Sequence, residues 1–366
     1  MLIAISLLLV SWGNQGHKII SAYAFLSFNE EMSQFNEWKQ FLVDHSSDAD
    51  YRRDDIPAEG PKHYIDIDNY PEFVSNGKIA QDWQQLVMDH DYSFVMDNGT
   101  LPWATIATYD SLVVCFERRD WERAKIFAAD LGHYVADGHM PMHITINYDG
   151  KLTGNSGIHS LYETSMIGAY SGSLQYPGDT LEIVENVSDY VFSYIYQNYP
   201  YVDSVLLADT YARTVSPVTT TAAYKAALWS KTGTFTIRLF SEASHKIAVL
   251  FYTAWVKAGR PLITGGTYNP NTAISFPETG VILNQVYPNP VKSLGSISYS
   301  IRKSTHVILE IVDSAGKSID TLVNCYSQPG EYTSSWAASP LSPGIYFIVL
   351  KTDGHPLSQR FSIASE

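Results

Sequence analysis

The chain has 366 residues, of which 45% are hydrophobic, 13% aromatic and 17% charged, a composition too apolar for a disordered tail and long enough for about two domains. Its 38 acidic and 24 basic side chains give a formal net charge of -14, which argues against a protein that grips duplex nucleic acid by neutralising many phosphates. Metal-dependent chemistry on phosphates stays open, because bound cations dominate the field of such a site.

Residues 1–11, MLIAISLLLVS, form an uncharged apolar run that ends in a small residue before Trp12. It reads as the tail of a secretory signal peptide, or equally as the start of a buried helix, and is too short to span about 30 Å of hydrocarbon. No other run of 18 apolar residues follows, so a soluble mature protein is expected. Cys115 and Cys325 are too few for a disulfide framework and read as free thiols.

From Trp12 to Gly259 the pattern is helical. Residues 120–138, DWERAKIFAADLGHYVADG, place Trp121, Ala124, Phe127 or Ala128, Leu131 and Val135 at three- and four-residue spacing, with Gly138 and Pro141 as stop signals. Similar periodicity predicts helices over residues 180–196 and 230–257. An all-α catalytic domain over residues 12–259 is expected. Residues 260–283, rich in Pro, Gly, Asn and Thr, read as a linker. Beyond them, period-two runs at 296–301, 307–312, 332–336 and 345–350, separated by turn signals, predict a small all-β immunoglobulin-like sandwich over residues 284–366.

Eleven histidines are present, and in the helical half many lie beside carboxylates. His133 and Asp137 are four apart on one helix face, His143 follows six residues on, and His159 and Glu163 are again four apart. In that last segment Ile158, Tyr162 and Met166 supply the apolar side. His17 and the segment His63-Tyr64-Ile65-Asp66-Ile67-Asp68 precede them. A single such pair is ordinary helix-surface chemistry. Five histidines and at least three carboxylates in one helical domain, without cysteine, point to a hydrolytic zinc site with open coordination positions.

These residues carry a resemblance. The opening Trp12-Gly13-x-x-Gly16-His17, the segment Ala49-Asp50-Tyr51, His63-x-x-Asp66-x-Asp68, then Leu131-Gly132-His133-Tyr134-x-x-Asp137, Pro141-x-His143 and His159-x-x-x-Glu163 together resemble the trinuclear-zinc superfamily of bacterial zinc-dependent phospholipases C and single-strand-specific nucleases. The resemblance implies three zinc ions held by Trp12, through its free amine and carbonyl, and by His17, Asp50, His63, His133, Asp137, His143, His159 and Glu163. It also implies a zinc-bridging hydroxide as the nucleophile, with Asp50 orienting it or taking its proton. The thirteen-residue gap between Asp50 and His63 is short, so Asp48 is a rival ligand. His139 reads as lining the site, and Asp66 and Asp68 as acceptors that orient His63 or as the start of a solvated loop. His45, His90 and His245 match no motif position.

Glu163, the Ala49-Asp50-Tyr51 segment and the short gap from His143 to His159 favour phospholipase C-like cleavage of phospholipid headgroups, whereas the Trp12 to His17 opening resembles the nuclease branch. Tyr51, Tyr64, Trp103 and Tyr148 are candidates to enclose a choline or to stack on a base. The substrate is thus a phospholipid or a single-stranded nucleic acid, and no stable protein partner is expected. A secreted surface-binding protein without catalysis is the alternative of another class.

In the last 83 residues, Tyr287-Pro288-Asn289-Pro290, Leu309 to Gly316 and Leu341 to Tyr346 resemble the C-terminal sorting domain of the type IX secretion system. That resemblance implies delivery by this machinery to the medium or surface of a bacterium, with no chemistry in the domain itself.

Overall fold

A computed structural model of the chain describes residues 13–263, apart from 54, 55 and 57, and residues 281–363, apart from 284, 285, 287–289, 293, 302, 314–316, 329, 339, 340 and 353–355. Residues 1–11 and Trp12, the expected leader and first ligand, lie outside the described residues. Two compact units result, one within residues 1–268 and one within 269–366.

The first unit is helical. Its opening helix α1 (Gly13–Ala24) buries Gly13, Gly16, His17, Ile20, Ser21 and Ala24, a three- and four-residue stripe that sets a histidine among core side chains. A short helix α2 covers Asp48–Arg52. Helix α3 (Leu101–Arg118) ends at Arg119, whose φ of 58° breaks the helix. Helix α4 (Trp121–Asp137) then starts on Asp120, whose carboxylate accepts the Arg123 N–H at 3.3 Å. This is the span the periodicity predicts, less one residue at each end.

Helix α5 covers Val187–Asn198, seven residues later than the expected start at 180. Asn186 caps it by accepting the Asp189 N–H at 3.2 Å, and the preceding Val184 N–H goes instead to Thr253 Oγ1 at 3.1 Å. After α6 (Tyr201–Val215), helix α7 runs 36 residues from Ala222 to Lys257. It starts eight residues before Ser230 because Thr221 supplies an N-cap to Tyr224 at 3.1 Å. Near its end Phe251 meets Phe35 and Phe116 edge-on, at ring separations of 4.9 and 5.4 Å, and Trp255 packs on Phe35. That aromatic core fixes α3, α4 and α7 side by side. Among the described residues no helix is long and apolar enough to cross a membrane.

Among the described residues the second unit has seven strands, β1 (Val281–Leu283), β2 (Leu294–Ile301), β3 (Thr305–Asp313), β4 (Ser318–Ser327), β5 (Gly330–Ala337), β6 (Gly344–Lys351) and β7 (Leu357–Ile363). They form two antiparallel sheets, β1-β2-β5 and β4-β3-β6-β7. Inward residues Ile297, Tyr299 and Ile301 of β2 and Val307, Leu309 and Ile311 of β3 join Trp336 and Phe361 in one core, which is the period-two pattern at work. Strand β1 falls inside the stretch read as linker. Strand β4 went unread because it is largely exposed and shows no alternation.

Candidate metal centre

The site grows from the C-terminal end of α4, where residues 131–137 are buried on all sides. His133 and Asp137, one turn apart, stand 3.3 Å from each other (Nε2 to Oδ2). From α1, His17 stacks on His133 with ring centroids 4.0 Å apart and planes 11° from parallel, and its Nε2 is 3.6 Å from Asp137 Oδ1.

Two further residues arrive from short elements. Asp50, on α2, has Oδ1 3.7 Å from His133 Nε2 and 3.6 Å from His63 Nδ1. His63 ends a 3-10 turn over Gly60–His63, and its Nδ1 lies 3.0 Å from His133 Nε2 and 3.1 Å from Asp137 Oδ2. The two oxygens of Asp137 therefore face different groups, one toward His17 and the other toward His63 and His133. Beyond them His143, at the end of the 3-10 turn Pro141–His143, puts Nε2 3.2 Å from His159 Nε2 and 3.6 Å from Glu163 Oε2. His159 Nε2 is 3.2 Å from the same oxygen. The backbone carrying His159 and Glu163 widens from an α-turn to a π-helix over Leu161–Met166, a distortion that recurs at functional sites. Ile158, Tyr162 and Met166 are fully buried, as their spacing predicts.

Among the described residues, three groups of atoms could each hold a metal ion: His17, His133 and Asp137; Asp50, His63 and His133; His143, His159 and Glu163. Every one of these residues is buried. Their chemistry fits a cation. The Nδ1–H of His133 donates to the Ser46 carbonyl at 2.8 Å and that of His143 to the His63 carbonyl at 2.6 Å, so each neutral ring turns an Nε2 lone pair inward. Those lone pairs face carboxylate oxygens and other imidazoles, and neither oxygen of Glu163 receives a well-directed hydrogen bond. Facing acceptors repel unless a proton or a metal ion lies between them; Asp137 and Asp50 favour a proton on His133 when no metal is bound. Ligands at about 2.0–2.1 Å on a zinc tetrahedron stand roughly 3.3 Å apart, and the separations above span 3.0 to 3.7 Å.

Burial and mutual charge pull the titrations of this cluster in different directions. Burial raises the Asp50 carboxyl to about 6, against the pull of His133. Burial also drives His63 down to about 4. Asp137 and Glu163 are buried too, yet the histidines beside them hold both below the ordinary carboxylate range.

Other expected residues separate clearly. Asp48 is turned away, half exposed and paired with His45 at 2.6 Å, so Asp50 and not Asp48 faces the histidines. Asp68 does not orient His63. It accepts Thr145 Oγ1 at 2.6 Å and the Ile146 N–H at 2.8 Å, and burial raises Asp66 to about 7 beside it. His139 is buried against Tyr194, with its Nδ1 on the Val135 carbonyl at 2.7 Å, and joins none of the three groups. His90 pairs with Glu72 and His245 with Tyr176.

Among the aromatics, Tyr148 sets its ring 6.0 Å from His159 and is partly exposed. Tyr51 is exposed and accepts Asn14 Nδ2 from the first turn of α1 at 2.7 Å. Tyr64 donates to the Asp97 carbonyl. Trp103 instead packs against Trp83 and Phe192 and donates to the Gln81 carbonyl at 2.7 Å, a structural role. Two neighbours were missed. Arg53 lies 3.0 Å from Asp50 Oδ1, and Glu59, buried, has Oε1 3.8 Å from His63 Nε2. Glu59-x-x-x-His63 is the same four-residue spacing, in reverse, that marks His133 and Asp137.

Comparison with known proteins places both units. Residues 285–364 match the secretion system C-terminal sorting domain family, which indicates export to the cell surface or the medium. Among solved structures, the alpha toxin of Clostridium absonum is similar with a TM-score of 0.51 at 10% identity, over 95% of this chain and 98% of that one. The Clostridium perfringens alpha toxin from an avian strain is similar at the same score and identity, over 96% and 98%. The fold is therefore alpha-toxin-like. No curated protein matches the chain.

Proposed function

We propose that the helical unit is an exported trinuclear-zinc phosphodiesterase that cleaves phospholipid headgroups in the manner of a phospholipase C. The observation that carries this is the convergence of five imidazoles and three carboxylates, all buried, into three groups at zinc-ligand spacing. The alpha-toxin-like fold supports the phospholipase branch of the resemblance over the nuclease branch. Trp12 would complete the first group through its amine and carbonyl.

Bound zinc supplies Lewis acidity toward a phosphoryl oxygen and lowers the pKa of a bound water toward about 7. The chain's own residues do the rest. Asp137 presents one oxygen to each of two groups and so ties their geometry together. Ser46 and the His63 carbonyl fix the tautomers of His133 and His143, so both enter with Nε2 unprotonated. Asp50, with Arg53 on one side and the histidines on the other, holds its group and orients the attacking water or takes its proton. Tyr148, beside His159, and Tyr51, beside α1, are placed to border a headgroup. Residues 285–364 would engage the type IX machinery.

The test uses full-length protein processed to start at Trp12, offered phosphatidylcholine vesicles and single-stranded DNA in parallel, with and without a zinc chelator. Chelator-sensitive phosphocholine release is expected. Nucleotide release alone would transfer the site to the nuclease branch, and bound zinc with neither product would leave a binding protein.

A further inference from the structure

His63 turns Nδ1 toward the ligand cluster, 3.0 Å from His133 Nε2 and 3.1 Å from Asp137 Oδ2. Its other nitrogen, Nε2, is buried without a hydrogen-bond partner, and Glu59 Oε1 stands 3.8 Å away. An imidazole that gives its Nδ1 lone pair to a cation carries its proton on Nε2, and a buried N–H needs an acceptor. A ring shift of about 0.9 Å brings this pair to hydrogen-bond length.

Glu59 is held as a fixed acceptor. Its Oε2 takes Lys62 Nζ at 2.7 Å, and its Oε1 takes Arg52 at 3.2 Å and the hydroxyl of Tyr134. Tyr134 follows His133 on α4, so the carboxylate joins the turn bearing His63 to the helix bearing His133 and Asp137. Arg52 is anchored in turn on Asp130 at 3.0 Å, one helical turn earlier.

We infer that Glu59 is a positioning residue of the metal centre: its Oε1 accepts the Nε2–H of His63 and so fixes the tautomer and the aim of that ligand. This rests on the metal reading above. Carboxylates in this position typically change metal affinity by about 10–100-fold.

The test measures zinc affinity and stoichiometry of the full-length chain by chelator competition, for wild type, Glu59→Gln and Asp130→Asn. Glu59→Gln is expected to lose about 10-fold or more at one of the sites and leave the others filled. Asp130→Asn, which loosens the same network without facing His63, should stay within about threefold of wild type. Equal losses in both variants, or none in Glu59→Gln, would overturn the assignment. A wild type that binds no zinc would sink the metal reading itself, a result distinct from wild type and Glu59→Gln binding alike. Should Glu59→Gln fail to fold, NMR of the zinc-loaded wild type decides: a downfield, slowly exchanging N–H on His63 Nε2 is expected, and a protonated Nδ1 with bare Nε2 would refute the role.

Discussion

His63 and His133 are 70 residues apart in sequence, and their ring nitrogens stand 3.0 Å apart with no ladder or helix joining them. One nitrogen is fixed as a lone pair by the Ser46 carbonyl behind it. A positive charge between the two nitrogens, a proton or a metal ion, accounts for the contact; His133 falls in two of the three candidate groups, but its one free lone pair can serve a single ion.

Asp137 turns one oxygen toward His17 and the other toward His63, so it can serve two ions, and removing it should cost more metal than removing a ligand of one. Asp137→Ala is expected to empty two sites and His159→Ala one, with hydrolysis down by about a hundredfold to a thousandfold in both, on the scale of losing a main electrostatic element of a site. Metal analysis of the purified variants, with circular dichroism to check helicity, decides this. Equal zinc content in the two would contradict the shared role.

Stability should depend on pH in opposite ways with and without metal. Burial opposes the His133 imidazolium, but Asp137 and Asp50 outweigh it and raise its pKa from 6.5 to about 9. A folded value above the unfolded one stabilises fully below pH 6.5 and loses that stabilisation as pH rises through 9. Zinc requires the neutral ring, so loading releases protons and strengthens as pH rises. The Tm of chelator-treated protein should fall between pH 6.5 and 9 while the gap to the loaded form widens. A gap that stays constant across this window would refute the linkage.

Processing at the N-terminus should control activity. Trp12 would ligate through a free amine, and any residue left before it abolishes that group. Protein retaining residues 1–11 is expected to bind one zinc fewer and to turn over poorly. Equal zinc content and activity in processed and unprocessed forms would defeat this.

Catalysis and delivery should separate at the domain boundary. The C-terminal unit has its own apolar core, and its first described strand is β1, so truncation before Val281 is expected to leave hydrolysis by the purified helical unit within about twofold, in line with independent domains. The same truncation should block surface delivery in cells. Lost hydrolysis in the purified truncation would show that the site depends on the second unit.

Much of this was legible in the sequence because it was local. The i,i+4 pairs His133/Asp137 and His159/Glu163 announce a shared helix face, and alternation marks β2, β3, β5 and β6. The helix start at Val187 and the strand β4 were not legible, since a side-chain cap and a polar edge strand leave no periodic trace. Nor was the aromatic role of Trp103, which depends on Trp83 and Phe192 from other segments.

By itself the sequence determined the residue types of the centre, the helical and β halves and the order in which the ligands occur, all of which follow from spacing along one chain. Only tertiary structure decided which ligands meet. The choice of Asp50 over Asp48 comes from the direction in which a single short helix faces, toward His63 and His133 or toward His45. That Glu59 stands 3.8 Å from His63 Nε2 while Asp68 turns to Thr145 and Ile146 comes from a turn that folds His63 back onto α4, because side-chain direction in an irregular segment is set by the partners it packs against and not by its neighbours in sequence.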